Sequence, residues 1–242
     1  MANPATVNPK SLSFVLPAYN EEDNIEKAVR AVVETAEGLD LADYEVIVVN
    51  DGSKDRTAEI LERLKQENPR LRPIHHPANL GYAVALRTGF TSARLPLVFY
   101  TDSDLQFDVR EVKNLLPAIE DYDIVCGFRI YRYDPLTRLF AAWGYNLLAR
   151  TIFRLRVRDI DCAFKLFRRE IFDVIEIKSK KFFVDTEILA KARHHGFKMT
   201  EVGVRHYPRV GGRSTVRASH VFSTLRELGK MWAEIYLGAS KK

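Results

Sequence analysis

Hydrophobic positions along the chain alternate between two spacings. The apolar run Leu12 to Leu16, stopped by Pro17, reads as a short strand buried on both faces. Between Glu22 and Glu34, Ile25, Val29, Val32 and Val33 recur at helical spacing. Tyr44 to Asn50 is a second buried strand, broken by Asp51-Gly52-Ser53, and Thr57 to Glu67 sets Ile60, Leu61 and Leu64 on one helical face. Ile74 to His76, the helix-like Tyr82 to Gly89 and the apolar Leu97 to Thr101 repeat the alternation. Strands separated by helices of about ten residues predict βαβ units, because parallel neighbours need a crossover connection.

The first 125 residues therefore read as a Rossmann-like half. Beyond Gly127 the pattern changes to a long mixed apolar and basic segment, Leu136 to Leu155, followed by a strand-like Cys162 to Phe167. Val184 to His195 is a helix closed by Gly196, Thr200 to His206 a last strand, and a Gly-Gly loop leads to a closing helix from Ser219 to about Tyr236. No linker rich in Pro, Gly or Ser parts the halves. The expectation is one α/β domain: a mostly parallel sheet flanked by helices, with a flexible N-terminus over 1–10, halves at 11–125 and 126–216, and an amphipathic helix over 217–242.

Composition narrows the class. Of 242 residues, 46% are hydrophobic and 29% charged, which excludes disorder and fibrous repeats. Cys126 and Cys162 are too few for a disulfide framework or zinc cluster and suit a reducing compartment, where both read as small buried apolar residues. Met1 to Lys10 carries no apolar leader core, and the longest nearly apolar stretch, Leu139 to Ala149, falls short of the ~20 residues a membrane span needs. The net charge of +5 conceals an asymmetry: residues 1–125 hold 13 Lys+Arg against 21 Asp+Glu, and residues 126–242 hold 24 against 11. A basic half of this kind suits nucleic acid, an anionic membrane surface or a phosphorylated substrate.

The chemistry concentrates at strand ends. Asp102-Ser103-Asp104-Leu105-Gln106 directly follows the strand LVFYT. In an open parallel sheet, ligands bind outside the carboxyl ends of the strands, so both carboxylates would face a site. Their hard oxygens suit Mg²⁺ or Mn²⁺ shared with substrate phosphates; the same residues also make an acidic, helix-capping turn. Pro17-Ala18-Tyr19-Asn20-Glu21 and Asn50-Asp51-Gly52-Ser53 end the first two strands, where Asp51 can accept from a base or ribose and Tyr19 can wall the ring. Turn and capping chemistry accounts for either motif without a ligand. Neither Gly-x-Gly-x-x-Gly after the first strand nor a Gly-x-x-x-x-Gly-Lys-Ser/Thr run is present, which argues against a dinucleotide dehydrogenase and a P-loop NTPase. Asn79-Leu80-Gly81-Tyr82 opens a helix carrying Arg87 and Gly89, compatible with a nearby phosphate.

Taken in order, PAYNEEDNIE, VIVVNDGSKDRT, NLGYAVALRTGF, TDSDLQ, GFRIYRYDPLTR, DIDCAFKLFRRE and RVGGRST resemble family 2 glycosyltransferases of the GT-A fold. Within that family, the chain resembles the dolichyl/polyprenyl-phosphate sugar transferase branch, relatives of dolichol-phosphate mannose synthase, from about Ser11 to Thr215. The resemblance implies inverting transfer of a sugar from a GDP- or UDP-sugar to a polyprenyl phosphate. By motif, Pro17, Tyr19, Glu21, Asp51, Asp102 and Arg87 would contact the donor nucleotide. Asp104 and Gln106, with Asp102, would hold Mg²⁺ or Mn²⁺ and the diphosphate, and Asp102, Asp104 and Asp161 form the implied catalytic set. Asn50 stands where Asp is frequent, and Ser103 where Ala is common. Many members append transmembrane helices that this chain does not show.

A phosphate acceptor, largely dianionic at neutral pH, needs cationic clamps more than a base. Arg129, Arg132, Arg138, Arg209 and Arg213 are candidates, since guanidinium forks match phosphate oxygens; a solvated basic face is the plain alternative for each. Asp161 could orient one of them, serve as base, or be an ordinary strand-edge acid. His194-His195 complement a helix C-terminus, and His206 stands as a further site candidate before the basic loop. Leu139, Phe140, Trp143, Leu147, Leu148 and Phe153, and again Phe222, Leu225, Leu228, Trp232, Ile235 and Tyr236, fit interfacial helices or packing on the sheet equally well.

The leading expectation is a metal-dependent transferase peripheral on the cytoplasmic face of a membrane, with an integral membrane protein as a further candidate partner. A soluble acceptor is the alternative. Nucleic-acid binding is remote: no recognised motif is present, and the acidic half would repel a polyanion.

Overall fold

The computed structural model describes residues 11–131, 136–179, 183–208 and 221–238, with backbone alone for 136–138, 141 and 221–225. Seven strands form one sheet: β1 (Ser11–Ala18), β2 (Asp43–Asn50), β3 (Leu71–His75), β4 (Leu97–Thr101), β5 (Ile124–Arg129), β6 (Phe164–Arg168) and β7 (Met199–Val204). Their order across the sheet is β3-β2-β1-β4-β6-β5-β7. The helices are α1 (Ile25–Gly38), α2 (Thr57–Glu67), α3 (Tyr82–Ser92), α4 (Leu136–Phe153), the single turn α5 (Ile171–Val174), α6 (Val184–His194) and α7 (Val221–Tyr236).

Strands β1 to β4 are parallel, as the crossover spacing predicts. β6 alone runs against its neighbours, antiparallel to both β4 and β5, while β5 is parallel to β7. Period-two alternation in β1 and β2 feeds two cores: Val15, Ile47 and Val49 face one side with α3 and α6, and Phe14, Leu16, Val46 and Val48 face the other with α1 and α2. β5 runs through the division after residue 125, so the two halves share one sheet.

Two local expectations shift and one holds. Pro17 does not stop β1. The carbonyl of Ala18 accepts from Asp51 N on the β2 side, so Pro17 faces the β4 side, beyond the last β1–β4 pair of Val15 with Tyr100, where no N–H is required. Gly127, which reads as a break, lies inside β5: a Cβ there would stand 2.8 Å from the Phe164 carbonyl oxygen, so only glycine admits the β6 backbone. The expected burial of both cysteines holds, and burial pushes the Cys126 thiol up to about 12.

The two candidate interfacial helices differ. α7 buries Leu228, Met231 and Ile235 in the core shared with α6, and Phe222 and Leu225 lie outside the described side chains. α4 buries Asn146, Ala149 and Phe153 but exposes Phe140, Trp143 and Leu147 at 70%, 66% and 49%, one stripe at three- and four-residue spacing. No helix among the described residues is long and apolar enough to cross a membrane.

Candidate active site

The carboxyl ends of β2, β1 and β4 lie side by side, and their loops are tied to one another. Asn20 N donates to Ser53 Oγ at 2.9 Å, Lys54 N donates to Asn20 Oδ1 at 2.8 Å, and Glu21 N donates to Thr57 Oγ1 at 2.9 Å. Gly52 holds φ +66°, and a Cβ on it would meet the Ala78 carbonyl carbon at 2.3 Å, so the 76–81 loop closes against it. Asp51 draws in that loop. It is buried and accepts from His76 Nδ1 at 2.7 Å, Leu80 N at 2.9 Å and Gly81 N at 2.8 Å. Three of the roughly four acceptor positions of this carboxylate serve the chain itself. Tyr19 stands 37% exposed at the mouth, and Glu21 starts α1 through its carbonyl while its carboxylate accepts from Asn24 Nδ2 at 2.8 Å.

Asp102 and Asp104 sit where the strand LVFYT predicts them. Asp104 is buried and accepts from Gln106 N at 3.1 Å, and Ser103 Oγ donates to the Pro17 carbonyl at 2.9 Å, fastening the turn to β1. Tyr82, from the first turn of α3, donates its hydroxyl to Asp102 Oδ1 at 2.9 Å. Burial, helped by the neighbouring Asp104 charge and opposed by this hydrogen bond, raises Asp102 to about 7. Burial and the Asp102 charge hold the Tyr82 phenol well above its ordinary value, so it remains a donor. Gln106 is clasped by the segment after β7: Tyr207 N donates to its carbonyl at 2.8 Å, and its Nε2 donates to the Tyr207 carbonyl at 3.2 Å. His206 bridges to Phe107 beside it. Tyr207 is thus held directly beside the Asp102–Gln106 turn.

The reversal of β6 completes the site. Because β6 is antiparallel to β4, its first residue, Phe164, pairs with Thr101 at the carboxyl end of β4. Asp159 and Asp161 are carried to the same edge. Burial and the Asp185 charge, against the pull of Lys165, raise Asp161 to about 7. Asp159 binds Arg129 through both oxygens, accepting from Nε at 2.7 Å and Nη2 at 2.6 Å. Burial disfavours the Arg129 cation, but Asp159 outweighs this and holds its pKa above the ordinary value. Asp161 is therefore not the partner of Arg129; Asp159 is. Arg87 lies away from the strand ends and donates to the Ile177 carbonyl at 3.3 Å. Arg132, Arg209, Arg213 and the Arg138 side chain lie outside what is described.

Beneath these groups runs a buried network that the motifs do not announce. Lys165, fully buried, donates to Asp185 Oδ1 at 2.7 Å, to Tyr100 Oη at 3.2 Å and to the Cys162 carbonyl, and Tyr100 also donates to Asp185. The available signal was a lysine inside the otherwise apolar strand FKLF, since a charge at such a position requires a buried partner.

A mostly parallel sheet with paired carboxylates at the end of its central strand defines the class, an α/β fold of the GT-A kind. The sequence model of glycosyl transferase family 2 matches residues 13–175, and the chain belongs to that family. Among curated relatives, it is 38% identical over 215 residues to Glycosyltransferase AglD of Haloferax volcanii, covering 85% of this chain and 34% of that protein. It is 32% identical over 220 residues to Dolichyl-phosphate beta-glucosyltransferase ALG5A of Trichomonas vaginalis, covering 83% and 68% respectively. The chain thus spans about a third of one relative and two thirds of the other. Among solved structures, it superposes with a TM-score of 0.65 and 21% identity on glucosyl-3-phosphoglycerate synthase from Mycobacterium tuberculosis in complex with Mn²⁺, UDP and phosphoglyceric acid, over 93% of this chain and 76% of that one. That likeness shows the fold.

Proposed function

We propose that the protein transfers a sugar, with inversion, from a nucleotide-diphosphate donor to the phosphate of a polyprenyl or dolichyl lipid at the cytoplasmic face of a membrane. The observation that carries this reading is the pair Asp102 and Asp104, two carboxylates gathered at a strand end where the Asp104 charge adds to the cost of ionising Asp102. The donor set fits Mg²⁺ or Mn²⁺ shared with a diphosphate, with hard carboxylate oxygens at Asp102 and Asp104 and Gln106 alongside. When bound there, the ion supplies Lewis-acid neutralisation of the departing diphosphate.

The chain's own residues do the rest. Tyr82 fixes the Asp102 carboxylate, Asp51 locks the 76–81 loop into the nucleotide wall, and Tyr19 offers its ring to the base. In the reaction, an acceptor phosphate oxygen forms the bond to the anomeric carbon, and the bond to the diphosphate breaks with its electron pair leaving on the nucleotide. The acceptor needs no proton removed, which fits Asp161 as a positioning acid beside the Lys165–Asp185 network. Arg129, held rigid by Asp159, together with Arg132, Arg209 and Arg213, supplies positive charge for the incoming phosphate. The exposed Phe140, Trp143 and Leu147 stripe, followed on the same helix by the exposed Arg150, suits a helix lying in the headgroup region.

The test is a thermal-shift panel of UDP, GDP and dTDP with and without Mn²⁺, alongside transfer to polyprenyl phosphate in vesicles. Asp104→Asn should abolish the metal-dependent shift and reduce transfer by orders of magnitude while leaving the fold intact. Full activity in excess EDTA would overturn the metal assignment, and transfer to soluble acceptors alone would overturn the lipid assignment.

A further inference from the structure

At the edge of the sheet opposite the crevice lies an open cleft of about 490 Å³. It is bordered by the starts of β5 and β7, which run parallel to β1 and therefore begin where β1, β2 and β4 begin. Cations reach it from three separate segments: Arg154 and Arg156 after α4, Arg193 from the last turn of α6, and Lys198 before β7. Tyr122 and Tyr236 form aromatic walls, with the His194 ring edge-on to Tyr236 at 5.4 Å.

These cations are uncompensated in a way their neighbours are not. From Phe153 to Arg158, buried Phe153, Leu155 and Val157 alternate with exposed Arg154, Arg156 and Arg158. Arg158 pairs with Glu201 and lies over the Phe128 ring, whereas Arg154, Arg156, Arg193 and Lys198 have no carboxylate partner among the described residues. Two nearby acids are engaged elsewhere. Asp123 pairs with Arg168 and accepts from Lys198 N, and Glu234 of α7 pairs with Lys178 and Lys191. Arg193 at a helix C-terminus is accounted for by the dipole alone, but Arg154 and Arg156 arrive from another element and face the same space.

We propose that this cleft binds a phosphate group on a ligand distinct from the donor and acceptor of the crevice. Guanidinium forks match phosphate oxygens two at a time, several converging forks select a multiply charged phosphate over a carboxylate, and the cleft volume accommodates a headgroup-sized ligand. The phosphate arrives either on a lipid headgroup or as a free phosphate compound. Tyr236 belongs to α7, so occupancy also fastens that helix to the domain.

The experiment uses the full chain in EDTA, with inorganic pyrophosphate and, separately, monomeric dihexanoyl phosphatidic acid. Binding is followed by calorimetry and by Trp232 emission in a Trp143→Phe background, because the Trp232 ring lies 5.6 Å from that of Tyr236. Saturable binding with Kd below about 1 mM is expected, weakened at least about tenfold by Arg154→Ser/Arg156→Ser/Arg193→Ser at unchanged melting temperature. Tighter binding of the phosphatidic acid assigns a lipid headgroup, and tighter binding of pyrophosphate a free phosphate compound. No saturable response, an equal response in the triple variant, or displacement of the phosphatidic acid by UDP with Mn²⁺ in a parallel EDTA-free titration would overturn the proposal, the last by placing the anion in the crevice.

Discussion

Lys165 tests how the floor of the crevice is held. Its ammonium is fully buried and gives three hydrogen bonds, to Asp185 at 2.7 Å, to Tyr100 at 3.2 Å and to the Cys162 carbonyl, while Asp185 is 5% exposed. Lys165→Met keeps the length of the side chain and deletes the charge, leaving Asp185 with the Tyr100 hydroxyl and no cation. Breaking a buried pair from one side costs about 3–5 kcal/mol, because the remaining charge stays desolvated. At ~2–4 °C per kcal/mol for a chain of this size, that is a fall of roughly 6–20 °C in melting temperature. Lys165→Met/Asp185→Leu removes both charges and should recover most of the stability. Urea unfolding of the three proteins measures this. A loss under about 1 kcal/mol at pH 8, or a double variant no more stable than the single, would refute the reasoning. The same substitution removes the positive charge that lowers Asp102 and Asp161, so the pH profile of the remaining activity should move upward.

Asp102 and Asp161 bind their protons more tightly when folded, at about 7 against an ordinary 3.8, so the metal-free protein should lose stability as pH rises from about 4 through 7. Asp102→Asn and Asp161→Asn should each flatten that slope in melting temperature, and slopes identical to the parent would contradict the assignment. Gly52→Ala places a Cβ 2.3 Å from the Ala78 carbonyl carbon at φ +66°, which should cost about 1–3 kcal/mol and weaken nucleotide-induced stabilisation by displacing the loop that Asp51 holds. Parental melting and nucleotide response would show that the loop tolerates the displacement. Phe140→Ser/Trp143→Ser/Leu147→Ser should leave the fold unchanged and reduce sedimentation with anionic vesicles at least about tenfold, since each fully buried side chain contributes ~1.5–3 kcal/mol; unchanged sedimentation would remove α4 from the membrane contact.

Much of the first half was legible because β1, β2 and β4 are buried on both faces, so their apolar runs and the polar residues that end them are sharp. Asp102 and Asp104 could be placed from LVFYT alone. The direction of β6 could not, because periodicity is the same whichever way a strand runs, and it is this reversal that sets the start of β6, with Asp159 and Asp161 shortly before it in sequence, against the carboxyl end of β4. The partner of Arg129 was equally hidden: Asp159 and Asp161 differ by two residues, and only the backbone path decides which one reaches the guanidinium. The stripes of α4 and α7 look alike in sequence. Their fates differ because α7 lays Leu228, Met231 and Ile235 against α6, while Phe140, Trp143 and Leu147 have no element over them among the described residues.

The charge asymmetry of the sequence acquires a meaning at the crevice that neither half has alone. Asp51, Asp102 and Asp104 come from the acidic half, and Asp159, Asp161 and Asp185 from the basic one, yet all six collect about the same edge of the sheet. Among the described residues, the buried cations facing them are Arg129 and Lys165, each already committed, to Asp159 and to Asp185. A nucleotide diphosphate or a lipid phosphate entering such a crevice meets net negative charge, and in a partly desolvated site that repulsion exceeds what one or two hydrogen bonds return. On the proposed reading, binding of either anion calls for added positive charge, from a divalent ion at Asp102 and Asp104 and from Arg209 and Arg213, which lie outside the described residues. On that reading the ion would serve the diphosphate and the arginines the acceptor, and the acidic floor would keep either substrate weakly held until its own cation is in place.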